Sequence, residues 1–326
     1  MIINLFASQA QDVHYSQFHV SPMLQNPANA GYFNCDYRFT SIYKSQWKSI
    51  TVPYNTFAAS YDMRFVKNKK SKNLFGLGAT IYNDKAGDGN FTHTNFGLTG
   101  SVHHFLDRFN INTLGGGLTL AYGGGNIDFN KLSFGDQYIA PGSSKQFSAE
   151  TPFNGFNYFD ISAGLEYNWI PQTRTNHIQV GFAAFHLNRP KKSFRGDNDS
   201  RIERKYNFHA SSQLRLNSHL QLFPKVQASF QGVNHEILLG TFARFDLDKM
   251  KNDKYGVYIG IWQRIGDAFI IVSRLDIDKL SIAFSYDVTT SNLNDINTAR
   301  GGPEISIIFI GCLPKQPSKG AFCPRF

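Results

Sequence analysis

The chain lacks any run of apolar residues long enough to cross a bilayer as a helix, which would take roughly 18 or more in succession. That excludes a polytopic helical membrane protein, and the mean hydropathy of −0.31 agrees. Charged residues make up only 17% of the 326 positions and methionine occurs 4 times, a poor supply for an amphipathic helical core. The three cysteines have no close pairing with histidine, and no HExxH is present, so no metal centre is expected. His103 and His104 are adjacent and would point to opposite faces of a strand, where they cannot share an ion. Gly115-Gly116-Gly117 and Gly123-Gly124-Gly125 are not followed by Lys-Ser or Lys-Thr. They are expected to relieve crowding in a curved strand rather than to cradle phosphate. With no GxSxG and no Ser/His/Asp grouping, the sequence points to no enzyme and no cofactor.

Aromatic residues, by contrast, are abundant at 15%, with 30 Phe, and Gly occurs 28 times. That composition excludes disorder and suits many strands. The net charge of +9 reads as an excess spread over loops, with no nucleic-acid partner expected. Met1 to Phe6 is apolar, and small residues at Ser8 and Ala10 offer a cleavage site before Gln11. Without a basic start, residues 1–10 read as a signal-peptide remnant of an exported chain.

Alternation with period two dominates. Phe159, Ile161, Ala163, Leu165, Tyr167 and Trp169 interleave with Asp160, Ser162, Gly164, Glu166 and Asn168, so a strand here has one apolar and one polar face. The same pattern runs through 54–65, 206–216 and 279–288. Read this way, the chain predicts fourteen strands: 36–44, 54–65, 74–83, 94–105, 111–123, 159–169, 177–187, 205–216, 219–230, 236–246, 255–264, 268–277, 279–288 and 303–310. Most are about ten residues long, twice the usual length in soluble sandwiches. An even number of long alternating strands predicts an all-β fold, a transmembrane antiparallel barrel of the outer-membrane type. The connections alternate accordingly, with 124–158, 188–204 and 289–302 long on one side and 106–110, 170–176, Asn217-Ser218 and Asp278 short on the other. Two connections on the long side, 231–235 and 265–267, are short as well. Tyr43, Trp47, Tyr82, Tyr167, Trp169 and Tyr286 fall near strand ends and suit interfacial girdles.

The polar face carries Arg38, Asp62, Arg64, Glu166, Arg244, Arg264, Arg274 and Asp276, with Arg215, Asp246 and Asp287. Charges enclosed by a barrel are costly unless paired or hydrated. They line a pore or form an ion-pair network that fills the lumen; the sequence leaves both readings open. Cys312 and Cys323, in a tail rich in Pro and Gly, are placed for a local disulfide, leaving Cys35 unpaired. The loop 188–204 mixes charge of both signs, and Arg189, Lys191, Lys192, Phe194 and Arg195 make it a candidate contact surface.

The segment Gln11 to Phe18, followed by Ser21-Pro22 and Asn26-Pro27-Ala28-Asn29-Ala30-Gly31, resembles the opening of the PorP/SprF family. Within it the motif residues are Tyr15, Ser16, Gln17, Pro22, Asn26, Pro27, Ala28 and Gly31. Tyr43-Lys44-Ser45-Gln46-Trp47 resembles the family's Tyr-x-x-Gln-Trp element, with Gln46 and Trp47 as its ends, and Cys323-Pro324-Arg325-Phe326 is similar to endings in that family. The resemblance implies an outer-membrane barrel of the Bacteroidetes type IX secretion and gliding system. It implies one of two roles. The first is an anchor at the cell surface for a secreted adhesin with a type B C-terminal domain. The second is a machinery component in contact with periplasmic motor proteins or lipoproteins. A porin-like channel is the remaining alternative. The expected organisation is a leader over 1–10, a periplasmic or lumenal segment over 11–34, the barrel over 35–310 and a periplasmic tail over 311–326. The protein would be integral to the outer membrane, with extracellular loops, periplasmic termini and lipid around its wall.

Overall fold

A computed structural model of the chain describes residues 12–46, 52–65, 71–132, 155–171, 176–194, 200–247, 255–291 and 300–313. Among them, fourteen strands close into one antiparallel barrel. They are β1 (Tyr37–Gln46), β2 (Tyr54–Phe65), β3 (Asn73–Ala86), β4 (Phe91–Phe105), β5 (Asn112–Asn126), β6 (Phe156–Trp169) and β7 (His177–Phe185). Continuing, they are β8 (Lys205–Arg215), β9 (Leu220–Gln231), β10 (Asn234–Asp246), β11 (Tyr255–Arg264), β12 (Ala268–Ile277), β13 (Leu280–Thr289) and β14 (Arg300–Gly311). Each pairs with its sequence neighbour, and β1 closes on β14 with Tyr37 opposite Gly311 and Lys44 opposite Glu304. Closure leaves no sheet edge with unpaired backbone groups, which is what a hydrocarbon surrounding requires. Among the described residues no helix is long and apolar enough to cross a membrane.

The alternation becomes two surfaces. Outward stand Phe159, Leu165, Tyr167 and Trp169 of β6 and Ile282, Phe284 and Tyr286 of β13, all exposed on the barrel wall. Inward stand Asp160, Ser162, Glu166 and Asn168 of β6 and Ser281, Ser285 and Asp287 of β13, all buried. Fourteen strands were legible from the pattern, but β3 to β6 run longer than expected, at 14 or 15 residues each. Their extra turns of pleat lie beyond the apolar belt, where polar residues also alternate.

Inside the wall lies the segment 12–35. It is irregular, with three short helical turns at Phe18–Val20, Pro22–Gln25 and Pro27–Asn29. Prolines at the first position of two of these turns are pre-set in φ and carry no amide hydrogen to leave unsatisfied. Ala28, Ala30 and Phe33 are completely buried. The segment therefore occupies the lumen and supplies much of the core. Tyr15, Val20, Tyr32 and Phe33 pack with Ile42, Ala58, Leu74, Phe105, Ile308 and Ile310. Phe18 packs among Phe223, Leu238, Phe242, Tyr258 and Trp262.

One expected pairing is corrected by closure. Cys312 is disulfide-bonded to Cys35, across 277 residues of sequence, with Cα atoms 4.5 Å apart. The two cysteines stand just outside the Tyr37–Gly311 pair, so β1 meeting β14 brings them together. Its sulfur engaged, Cys312 is not bonded to Cys323, which lies outside the described residues. The glycine stretches are also put to a different use. A Cβ on Gly117 would land on the backbone of Pro27 and Ala28, and one on Gly115 would meet the His103 ring. These inward glycines make room for the lumenal segment and for rings. Tyr82, expected in a girdle, faces inward instead, edge-on to His93 at 5.6 Å. Its place in β3 puts it on the lumenal face, with Ile81 exposed beside it.

Candidate functional site

The site is the occupied lumen and its mouth. At one end of the segment, the Asp12 amide donates to Gln231 Oε1 at 2.9 Å. Its carboxylate takes a 2.7 Å hydrogen bond from His186 Nε2 and lies 3.9 Å from Lys205 Nζ. His186 Nδ1 is ion-paired to Asp160 at 3.0 Å. Burial by itself would raise the Asp12 carboxyl, but the His186 charge and hydrogen bond, with Lys205 and Gln231, hold it far below the usual range. Burial by itself would lower the His186 imidazole, yet Asp12 and Asp160 outweigh it and hold it up at about 10.

Next along the chain, the amides of Ser16 and Gln17 donate to the two carboxylate oxygens of Glu304 at 2.8 and 3.0 Å. Glu304 is paired in turn with Lys44 at 3.1 Å. Such charge-assisted bonds in a closed interior are the strong kind. The Ser16 hydroxyl donates to Asp287 and accepts from Arg264, both at 2.6 Å. The Gln17 amide group donates to Ser285 and to the Glu304 carbonyl, and accepts from Ser306. Midway down, Asn26 Nδ2 donates to the Leu165 carbonyl at 2.9 Å, while its oxygen caps Ala28 N. At the far end, Asp62 accepts the Gly31 amide at 2.8 Å and holds Arg38 through two bonds of 3.0 and 2.7 Å. Gly31 sits at φ +68°, a conformation open to glycine at no steric cost. Arg64 donates to the Phe33 carbonyl at 3.0 Å.

The lumenal charges are thus paired rather than lined up along an open path. Arg244 meets Asp246 at 2.7 Å and Arg274 meets Asp276 at 2.8 Å. Arg264 serves Glu236, Asp267 and Asp287 within 3.4 Å. Glu166 accepts from Asn168. Cavities of about 60 and 70 Å³ border residues 12–15, and a smaller one of about 20 Å³ lies deeper, between His19, Arg38 and Lys225.

A match to the whole architecture comes from sequence. The profile described as "Type IX secretion system membrane protein PorP/SprF" matches residues 7–309. The chain belongs to the PorP/SprF family. It is therefore an outer-membrane barrel of the type IX secretion system. No curated protein matches it in sequence. Among solved structures it resembles the Ralstonia pickettii toluene transporter TbuX at 11% identity and TM-score 0.51, covering 89% of this chain and 92% of that one. It also resembles a Pseudomonas aeruginosa FadL homologue at 10% identity and TM-score 0.53, covering 89% and 93%. The CymD monoaromatic hydrocarbon channel matches at 8% identity and TM-score 0.52, covering 90% and 93%. At these identities the likeness is one of fold.

The PorP/SprF motif residues are strung along the lumen. Tyr15, Ser16, Gln17, Pro22, Asn26, Pro27, Ala28 and Gly31 all belong to the lumenal segment, and Gln46 ends β1 beside Gly302. Trp47 lies outside the described residues. What the charges alone did not single out is the set that receives the motif: Lys44 and Glu304, and the Asp12–His186–Asp160 cluster. The signal available was parity, since Lys44 and Glu304 occupy inward positions of their strands.

By the usual asymmetry of such barrels, the side bearing the connections 127–155 and 186–204 is external. Asp12 lies at that mouth, against His186 and Gln231, while Cys35 lies at the opposite rim. The segment thus runs the length of the lumen. At the mouth, the described flanks 188–194 and 200–204 pair with each other, with Lys192 N bonded to Ser200 O and Ile202 N to Pro190 O. Arg189 is ion-paired with Glu203. Phe194 packs on Phe156 at 4.9 Å and on Phe91 at 6.1 Å, and Lys192 lies 5.9 Å over the Phe91 ring. Of the candidate contact residues, Lys191 is exposed, and Arg195 is outside the described residues. So are the leader 1–10, most of the loop 124–158 and the tail beyond 313.

Proposed function

We propose that the barrel is a surface anchor for a protein exported by the type IX system, in keeping with its membership of that family. One observation carries the reading: the lumen is occupied along its length by the chain's own segment 12–35, pinned by the family motif. A barrel filled in this way presents a rigid external face rather than an open conduit. The partner is an adhesin whose C-terminal domain, of the type B class, meets the arm 188–204 and the neighbouring loop between β5 and β6. Arg189, Lys191, Lys192 and Phe194 form the root of that contact. Affinity purification from native membranes in mild detergent tests it. Recovery of one very large exported protein, lost on Lys191→Glu/Arg195→Glu, is the expected result. Recovery of periplasmic machinery alone would replace this reading with that of a secretion-motor component docking at the short turns and the tail.

A channel is the second reading, favoured by the two cavities beside residues 12–15 and by the fold shared with a toluene transporter and a monoaromatic hydrocarbon channel. It requires the segment to shift. Steady conductance of the wild-type barrel in a planar bilayer would support it over the anchor.

A further inference from the structure

The outward face of β3 to β6 changes chemistry at a single register row. Ile81, Phe96, Tyr122 and Phe159 stand opposite one another across the four strands. The next outward row toward the external mouth is Asn83, Thr94, Gly124 and Asn157, and above it Lys85 faces Thr92 and Thr92 faces Asn126. The apolar belt thus ends at a line of rings, as it does where hydrocarbon meets headgroups. The longer β3 to β6 carry the sheet on past it. In this polar extension lies an open groove of about 530 Å³, lined by Thr92, Thr94, Phe96, Tyr122, Asn126 and Asn157 around the Gly123–Gly125 stretch. Glycine at 124 leaves the space into which the Asn157 amide leans; a Cβ there would meet it.

We infer that this groove binds the sugar headgroup of an outer-leaflet glycolipid. Two exposed rings, Phe96 and Tyr122, offer faces on which the C–H side of a sugar ring can stack. Two threonine hydroxyls and two asparagine amides supply both donors and acceptors for sugar hydroxyls. Among the described residues no Lys, Arg, Asp or Glu lines the groove, so it suits a neutral polyol rather than a phosphate, which calls for arginine or lysine. Its position fixes the source: it opens outward, away from the lumen, at the level where the outer leaflet presents its headgroups.

The test is native mass spectrometry of the full-length barrel after exposure to equal amounts of rough lipopolysaccharide and phosphatidylethanolamine. The wild type should retain lipopolysaccharide in preference, and Tyr122→Ala/Asn157→Ala should cut that retention about fivefold or more, since ring and amide contacts are both removed. Leu118→Ala, lower on the same wall, should leave it unchanged. Heat-modifiable gel mobility checks that each variant is a closed barrel, and Thr94→Val replaces the double variant if that fails to assemble. Equal retention by wild type and groove variants, or no preference over phosphatidylethanolamine, overturns the site. Equally tight binding of the delipidated core oligosaccharide overturns the membrane lipid as its source.

Discussion

The side-chain oxygen of Asn26 lies where a Cβ on Gly164 would have to be. The Asn26 side chain and the Pro27 ring of the lumenal segment rest directly on the β6 backbone at Gly164, with no side chain of the wall between them. Gly164→Leu should therefore displace the segment while leaving the lipid-facing row of β6 intact. The expected outcome is faster protease cleavage within 12–35 and a rise in single-channel conductance, with the barrel still heat-modifiable. Unchanged protection of the segment would count against this packing.

Leu165, the neighbour of Gly164, is 59% exposed on the barrel wall, whereas Ser162 is 3% exposed on the lumenal face. Arginine near the bilayer midplane costs roughly 2–4 kcal/mol on the lipid face. Leu165→Arg should lower the yield of assembled barrel in membranes well below that of Ser162→Arg. Equal yields of the two variants would overturn the facing of β6.

Both of these rest on what the sequence made legible and what it did not. Parity along a strand is a local property, so the facing of Leu165 and Ser162 follows from alternation alone, as does the placement of His103 in the lumen and His104 outside. Tyr82 was misread because its aromatic character was weighed ahead of its parity. Contacts made by closure carry no local signal at all: Cys35 meets Cys312 only when the first strand meets the last. Nor does a triplet of glycines announce which backbone will lie against it, so the docking of Pro27 on Gly117 needed three dimensions. The ion pairs fall between these cases. Arg38 and Asp62 were recognisable as lumenal, while their joint hold on the segment through Gly31 was not.

The disulfide can be read directly. Oxidised protein should run on a denaturing gel with greater mobility than reduced protein, because 277 residues are closed into a loop. Cys35→Ser and Cys312→Ser should each abolish that difference, whereas Cys323→Ser should preserve it. Retention of the shift in Cys35→Ser together with its loss in Cys323→Ser would return the pairing to the tail.

The Asp12–His186 contact should respond to alkali. His186 is held up at about 10 in the folded protein, against about 6.5 when free. Its contribution is therefore fully present below about pH 6.5 and is lost as pH rises toward 10. Asp12, held low, is lost only in strong acid. Protease access to Val13 and His14 should rise between pH 7 and 10 in the wild type and be flat with pH in His186→Gln. An identical pH profile in both proteins would remove His186 as the cause.

The passage of residues 12–35 through the lumen also sets how the leading segment and the last strand stand to one another. With fourteen strands among the described residues and one further passage inside them, Asp12 and the end of β14 lie at opposite mouths of the barrel. Tyr15, Phe18 and Met23 are buried inside the wall, which the Lys44–Glu304 and Arg264–Asp287 pairs line. The Cys35–Cys312 bond crosses the β1–β14 seam, so the leading segment is tied to the last strand at the point where the wall closes around it.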